Sequence, residues 1–244
     1  MVADVSGFDA SVFAQRLADG DIGAFDYVMS LAHAGDAAAQ TIGGQMLLDG
    51  QGCVAQPAEG VYWFMQAAHQ HSPMAMNMLG RCHENGWGTV VDYPLAAVWF
   101  RRAAEHGLDW GMYNYAHMLE RGRGIGSDRG AAFLWFGRAA ALGHARAMNF
   151  LARYYEHGWE TDQDTIMARS LYERSALAGD YRGECSWASV LVAEERFDDA
   201  AIYLERGLSK APAAFIEAMR ETLGSSGNPR VRELLSTCLP ASGT

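Results

Sequence analysis

The chain has 244 residues, of which 50% are hydrophobic and 20% are charged, and its formal net charge is −10. This hydrophobic content supports a sizeable core and excludes a largely disordered chain. No apolar run approaches the roughly 18 residues that a membrane-spanning helix needs, and the acidic balance argues against sequence-independent binding to nucleic-acid phosphates. We therefore expect a globular protein with neither membrane insertion nor nucleic-acid binding.

The N-terminal segment predicts two helices, over Phe8–Ala18 and Asp21–Ala34. The stretch from Met1 to Asp19 carries two acidic residues before its first arginine, and polar residues interrupt its apolar ones. It therefore lacks the pattern of a secretory signal peptide. The expected compartment is the cytoplasm, or the periplasm if a signal peptide has been removed.

The middle of the chain is dominated by a repeat of 36 residues. The aromatic pair Trp63-Phe64 recurs as Trp99-Phe100 and Trp135-Phe136, and Leu171-Tyr172 falls on the same step. Small residues and loop glycines keep the same period, at Ala67-Ala68, Ala103-Ala104 and Ala139-Ala140, and at Gly50, Gly86, Gly122 and Gly158. A fixed period of this length indicates a repeat architecture. The three tryptophans of the series are predicted to lie in the core.

One repeat shows how the pattern predicts a pair of helices. Ala75–Glu84 has helical periodicity, and Gly86 can adopt the left-handed conformation that ends a helix. Asp92 is suited to cap the next helix because its carboxylate can accept amide hydrogens of the first turn. The second helix runs to about His106 and ends at Gly107. Such a pair exposes apolar surface unless it stacks on a neighbour.

These motifs resemble the Sel-one-like repeat family, a relative of the tetratricopeptide repeats. The matching residues are Ala75-x-x-x-Leu79-Gly80, Gly86-x-Gly88, Asp92-x-x-x-Ala96, Trp99-Phe100 and Ala103-Ala104-x-x-Gly107. The resemblance implies an all-α fold, a right-handed α/α solenoid of stacked helix-turn-helix repeats whose concave face holds other proteins. The first repeat departs from the pattern at Gln56 and His71, and the last repeat lacks the Gly-x-Gly loop.

The predicted organisation has four parts. The last part contains two further predicted helices, Ala213–Leu223 and Pro229–Cys238, followed by a tail over Ala241–Thr244. The parts are an N-terminal helical cap over 1–37, four repeats over 38–182, a degenerate tetratricopeptide-like repeat over 183–210, and a C-terminal cap with its tail over 211–244.

The candidate binding residues lie on the exposed side of each repeat's first helix, which should line the concave face. Mixed donors and acceptors in register suit recognition of a peptide or a folded partner. The alternative is pairing within one helix, Arg81 with Glu84 and Arg153 with Glu156. Two loop tryptophans, Trp87 and Trp159, are candidate interface anchors, or they fold back over their own repeats. The surface residues are Asn77, Arg81 and Glu84; Tyr113, His117, Glu120 and Arg121; and Asn149, Arg153, Glu156 and His157.

The sequence favours a non-catalytic scaffold or adaptor of bacterial origin that binds a protein or peptide and is a monomer or a weak dimer. An immunity protein that neutralises a toxin is the first alternative. The second is a hydrolase that uses glutamate and histidine side chains of the concave face. No ligand spacing predicts a metal or a cofactor, and the four cysteines are expected to be free thiols.

Overall fold

A computed structural model describes residues 8–18 and 23–238 of the chain. Over these residues the chain forms fourteen α-helices and no strand, so the predicted all-α solenoid of helix pairs is confirmed. The chain divides into two compact units, residues 1–132 and 133–244, which are described separately. The helices are α1 Ala10–Ala18, α2 Ala24–His33, α3 Ala37–Asp49, α4 Pro57–His69, α5 Pro73–Asn85, α6 Tyr93–Glu105, α7 Asp109–Arg121, α8 Arg129–Ala141, α9 Ala145–His157, α10 Thr165–Leu177, α11 Tyr181–Ala193, α12 Phe197–Lys210, α13 Ala213–Gly224 and α14 Pro229–Cys238.

The helix ends follow the local signals in the sequence. The Asp92 side chain accepts a hydrogen bond of 2.9 Å from the Leu95 amide at the start of α6. Gly86 ends α5 in the left-handed conformation, with φ 74°, and its amide donates to the Cys82 carbonyl. Both contacts satisfy backbone groups that a helix end leaves unpaired. Gln56, which replaces the aspartate at the start of α4, makes no such side-chain bond.

Unit 1, residues 1–132, stacks consecutive helices from α1 to α7. Trp63, Trp99 and Phe100 are buried there, as the repeat predicts. Gly80 of α5 allows the Phe100 ring to approach so closely that a Cβ atom at this position would lie 2.5 Å from the ring. Burial of each such large apolar side chain contributes about 1.5–3 kcal/mol.

Each Gly-x-Gly loop of α5 and α7 lies against the second helix of the preceding repeat. A Cβ atom on Gly88 would overlap the Pro57 carbonyl at the start of α4, and one on Gly124 would overlap the Tyr93 backbone at the start of α6. Gly124 also has φ +72°, where a side chain is strained. The loops therefore cover the first turns of α4 and α6.

In unit 2, residues 133–244, the helices α9, α10, α11 and α12 stack in chain order, and α14 packs on α12 and α13. The turn between α11 and α12 is only three residues long, Glu194–Arg196. These two helices are held together by Glu184, which is fully buried and forms ion pairs of 2.9 Å with both Arg206 and Lys210.

The structure tests several further expectations from the sequence. Trp135 is partly exposed, with the Arg138 guanidinium 4.5 Å above its ring, so its predicted place in the core is wrong. The two helices expected near the C-terminus are α13 and α14, and the predicted tail over Ala241–Thr244 lies outside the described residues. All four cysteines are free thiols. None of the described helices is long and apolar enough to cross a membrane.

Candidate partner-binding surfaces

The candidate residues lie on α5, α7 and α9, which are the first helices of their repeats. Three of them are buried: Asn77, Tyr113 and Asn149 are 4%, 9% and 5% exposed. The Asn77 Oδ1 atom accepts a hydrogen bond of 2.8 Å from Asn114 of the next first helix, α7. The expected exposure is therefore wrong at these three positions because neighbouring structure covers that side of each helix.

Arg81 is exposed at the C-terminal half of α5. Its guanidinium lies 4.7 Å from the ring centre of Trp87, and Trp87 in turn packs against the hydrophobic core. Trp87 thus folds back over its own repeat, which was one of the two expected arrangements. Beside this pair, Gln45 and Asp49 of α3 help to line a groove of about 380 Å³.

Glu84 pairs with the loop that follows α7 instead of with Arg81 of its own helix. The Arg123 Nη1 atom lies 3.3 Å from the Glu84 Oε1 atom, and Arg123 Nη2 donates a 2.6 Å hydrogen bond to the Tyr93 hydroxyl. The Arg123 guanidinium also lies 4.0 Å from the Tyr93 ring centre. Arg123 was not among the predicted residues, although it occupies the loop place of Trp87 in the 36-residue register.

On α7 the expected residues form a small cluster. His117 Nδ1 lies 3.6 Å from Glu120 Oε2, and the His117 ring meets the buried Tyr113 ring edge-on at 4.7 Å. Arg121 is exposed at the last residue of the helix. This end of α7 therefore presents both charge signs.

On α9 the expected pairing of Arg153 with Glu156 is replaced by other contacts. Arg153 lies 5.6 Å from the Trp159 ring centre, and the exposed His157 ring lies 4.6 Å from the same ring. The Glu156 Oε2 atom accepts a 2.7 Å hydrogen bond from the Tyr172 hydroxyl of α10 and lies 3.7 Å from His157 Nε2. Burial, and then the neighbouring Glu156, raise the pKa of Tyr172, so this hydroxyl remains a donor.

A groove that the sequence did not predict lies in unit 2. It has a volume of about 550 Å³ and is formed by the end of α9, the start of α10 and the second half of α11. Glu156 and Tyr172 lie in its lining together with apolar side chains such as Ile166 and Val190. The signal that could have located it is the absence of the Gly-x-Gly loop after α11.

The family follows from the sequence match. The Sel1 repeat model matches residues 37–72, 73–108, 111–144 and 145–180, which is more than half of the chain. The chain belongs to the Sel1 repeat family. Proteins of this family are generally non-catalytic scaffolds for protein interaction. None of the curated proteins matches the sequence.

Several solved structures share the Sel1 fold. A Sel1 repeat protein from Oxalobacter formigenes has a TM-score of 0.77 and 20% identity, over 94% of this chain and 98% of that one. The protective antigen c5321 of uropathogenic Escherichia coli has a TM-score of 0.70 and 23% identity, over 93% of this chain and 51% of that one. The immunity protein Pa5087 from Pseudomonas aeruginosa has a TM-score of 0.53 and 16% identity, over 83% of this chain and 79% of that one. These similarities concern the fold.

Several ionisable side chains of this Sel1 repeat protein are paired or buried. Glu84 is engaged by Arg123, and burial raises the pKa of Cys82 to about 11 and that of Cys185 to about 12. Both thiols therefore stay protonated near neutral pH, where a thiolate would be needed for nucleophilic attack. Among residues 8–18 and 23–238, no group of three or more histidine, cysteine, aspartate or glutamate side chains is arranged to hold a metal ion.

Proposed function

We propose that this Sel1 repeat protein is a scaffold that binds a protein or peptide partner through the C-terminal halves of its first helices. The proposal depends mainly on one observation. At the same place in the first helices α5 and α9, an exposed or half-exposed arginine is followed three residues later by a glutamate, as in Arg81 and Glu84 and in Arg153 and Glu156. The first helix between them, α7, has His117 and Glu120 at these places.

The local contacts support recognition because they hold these groups in place without burying them. Arg81 and Arg153 face loop tryptophans, which restrict the arginine side chains and leave donors for a partner. A guanidinium held in this way loses less conformational freedom on binding, so more of the interaction energy appears as affinity.

The test is charge reversal of both arginines. The double variant Arg81→Glu/Arg153→Glu should weaken partner binding at least tenfold, while helical content by circular dichroism and the melting temperature stay close to those of the wild type. The partner is obtained by capture from the native host, and its affinity for the purified chain is then measured by calorimetry.

The matched control is Arg101→Glu/Arg174→Glu, which reverses two exposed arginines on second helices, one in each unit. It changes the net charge by the same amount and should leave the affinity within about twofold. Equal loss of affinity in both double variants would show a general charge effect and contradict the proposed surface.

Immunity is the second candidate, and the net charge of −10 favours it because an acidic inhibitor attracts a basic toxin. The immunity protein Pa5087 has the same type of fold. Under this proposal the captured partner is toxic when it is expressed alone, and co-expression of this chain restores growth. A captured partner that is not toxic would contradict the immunity proposal, and the scaffold proposal would still stand.

The hydrolase alternative would need a glutamate that acts in turnover. Glu120, 3.6 Å from His117, is the best-placed group in unit 1. Hydrolysis in a substrate panel that is abolished by Glu120→Gln would overturn the scaffold proposal.

A further inference from the structure

The groove in unit 2 exists because one loop is shorter than its counterparts. The second helices α8 and α10 begin at Arg129 and Thr165, 36 residues apart, whereas α12 begins at Phe197, only 32 residues after α10. The four missing residues belong to the loop that follows the first helix. In unit 1 that loop lies on the preceding second helix, so its absence leaves the start of α10 without this cover.

The uncovered surface is mainly apolar and carries two acids, Glu156 and Glu194, of which Glu194 is paired with Arg169. Ile166, in the first turn of α10, is 82% exposed, and the Glu156 side chain is 45% exposed. The corresponding acid in unit 1, Glu84, is only 28% exposed because Arg123 of the next loop pairs with it. In the 36-residue register Glu156 therefore occupies the place of Glu84, which holds Arg123, and of Glu120, which lies 3.6 Å from His117.

Glu156 accepts the Tyr172 hydroxyl at 2.7 Å and lies 3.7 Å from His157 Nε2, yet its side chain stays 45% exposed. The other charged groups of the groove are paired with one another. Arg169 donates to Glu194 at 2.7 Å and lies 4.8 Å from the Trp187 ring centre. Arg196 lies 3.4 Å from the same glutamate. Hydrogen bonding from Arg169 lowers the pKa of Glu194, so this network stays charged and internally paired at neutral pH.

We propose that the groove binds an arginine-bearing turn of a partner protein. The guanidinium of the turn pairs with Glu156, as Arg123 pairs with Glu84 in unit 1. The backbone of the turn lies against Ile166, as the loop of Arg123 lies on Tyr93. The inference rests on the proposed scaffold function and names the chemistry that one of its surfaces recognises. The net charge of −10 and the apolar lining are complementary to a basic turn.

The probe is a capped peptide with the sequence of residues 122–126, Gly-Arg-Gly-Ile-Gly, which is the segment that makes the equivalent contact in unit 1. Titration of the isotope-labelled chain should give saturable amide shifts near Glu156, Thr165 and Tyr172. Glu156→Gln should weaken this binding at least tenfold, because a neutral amide removes the charge and keeps the size. The same peptide with citrulline in place of arginine should bind at least tenfold more weakly.

The control variant Glu217→Gln removes one exposed charge of α13 and should leave the dissociation constant within twofold. The inference is overturned if no saturable shifts occur, if the citrulline peptide binds equally well, or if Glu156→Gln has no effect. If the chain dimerises and Glu156→Gln abolishes the dimer, a second copy of the chain is the occupant of the groove. This result would also overturn the assignment to a different partner.

A loop graft gives an independent test. Replacing residues 194–196 by the seven residues 122–128 restores the 36-residue step, and the grafted loop should cover the groove. A folded graft should lose the peptide shifts, whereas retained shifts would place the binding elsewhere. A negative result with the peptide does not affect the charge-reversal test at Arg81 and Arg153. The two proposals can therefore be contradicted independently.

Discussion

The loops of unit 1 and the short turn of unit 2 use the same helix-pair scaffold in opposite ways. In unit 1 the loop at Gly124 lies on α6, and Arg123 pairs with Glu84. In unit 2 the turn Glu194–Arg196 leaves the start of α10 uncovered, and Glu156 stays partly exposed. The loop that pairs with Glu84 leaves its side chain 28% exposed, whereas Glu156, next to the turn that is four residues shorter, is 45% exposed and is bonded to Tyr172 of its own unit.

Unit 2 has its own stabilising contacts where the loop is missing. Glu184 is fully buried between Arg206 and Lys210, which is the only lysine of the chain. Lys210 lies at the far end of α12, so these ion pairs join α11 to α12 at a distance from the turn. The comparison predicts that unit 1 depends on close backbone contact at its loops, and unit 2 on this buried carboxylate.

The largest expected effect is at Gly124. Gly124→Ala combines a left-handed backbone, which costs a side chain about 1–2 kcal/mol, with overlap on the Tyr93 backbone, so we expect a loss of about 2–4 kcal/mol in unfolding free energy. The measurement is urea denaturation followed by circular dichroism. Gly126→Ala in the same loop is the control, because its Cβ meets no atom within 4 Å, and it should change stability by less than about 0.5 kcal/mol. Similar midpoints for the two variants would show that the loop does not need its close approach to α6.

A smaller effect is expected at Glu184. Glu184→Gln keeps the size of the side chain and removes the charge that Arg206 and Lys210 share, so we expect a loss of about 1–3 kcal/mol. Denaturation of Glu217→Gln, an exposed glutamate of α13, provides the baseline for loss of a surface charge. If both variants unfold at the same urea concentration, the buried carboxylate does not stabilise the α11–α12 pair.

The smallest effect is expected at Arg123. Its ion pair with Glu84 is partly exposed, so solvent screens it, and Arg123→Gln should cost about 0.5–1 kcal/mol including the contact with Tyr93. A double-mutant cycle with Glu84→Gln isolates the coupling between the two charges, which should fall when salt is added. A coupling energy of zero would show that Arg123 and Glu84 do not stabilise each other. The contact in unit 1 would then no longer support an arginine as the partner of Glu156.

The helix pairs were predictable because their signals are local. Asp92 and Gly86 act on backbone groups within a few residues, and small residues such as Gly80 recur where a neighbouring helix must approach closely. Trp63 and Trp99 were placed in the core from the period alone. Trp135 shows the limit of this argument, since it holds the same register and is partly exposed.

The candidate surface was predicted less completely. Asn77 and Asn149 satisfy the helical spacing of an exposed face, yet both are buried. Arg123 was not a candidate residue, yet it is the partner of Glu84. Spacing along one helix cannot show which side chains a segment some 36 residues away will cover.

The sequence by itself determined the helix pairs, their ends and their period, because caps, glycine turns and apolar periodicity act over a few neighbouring residues. Only the tertiary structure decided which polar groups are covered, which are paired between repeats, and which stay accessible, as with Glu84 and Glu156. The reason is that these outcomes depend on contacts between segments far apart in the chain, where a loop shorter by four residues changes the surroundings of a side chain without changing its own helix.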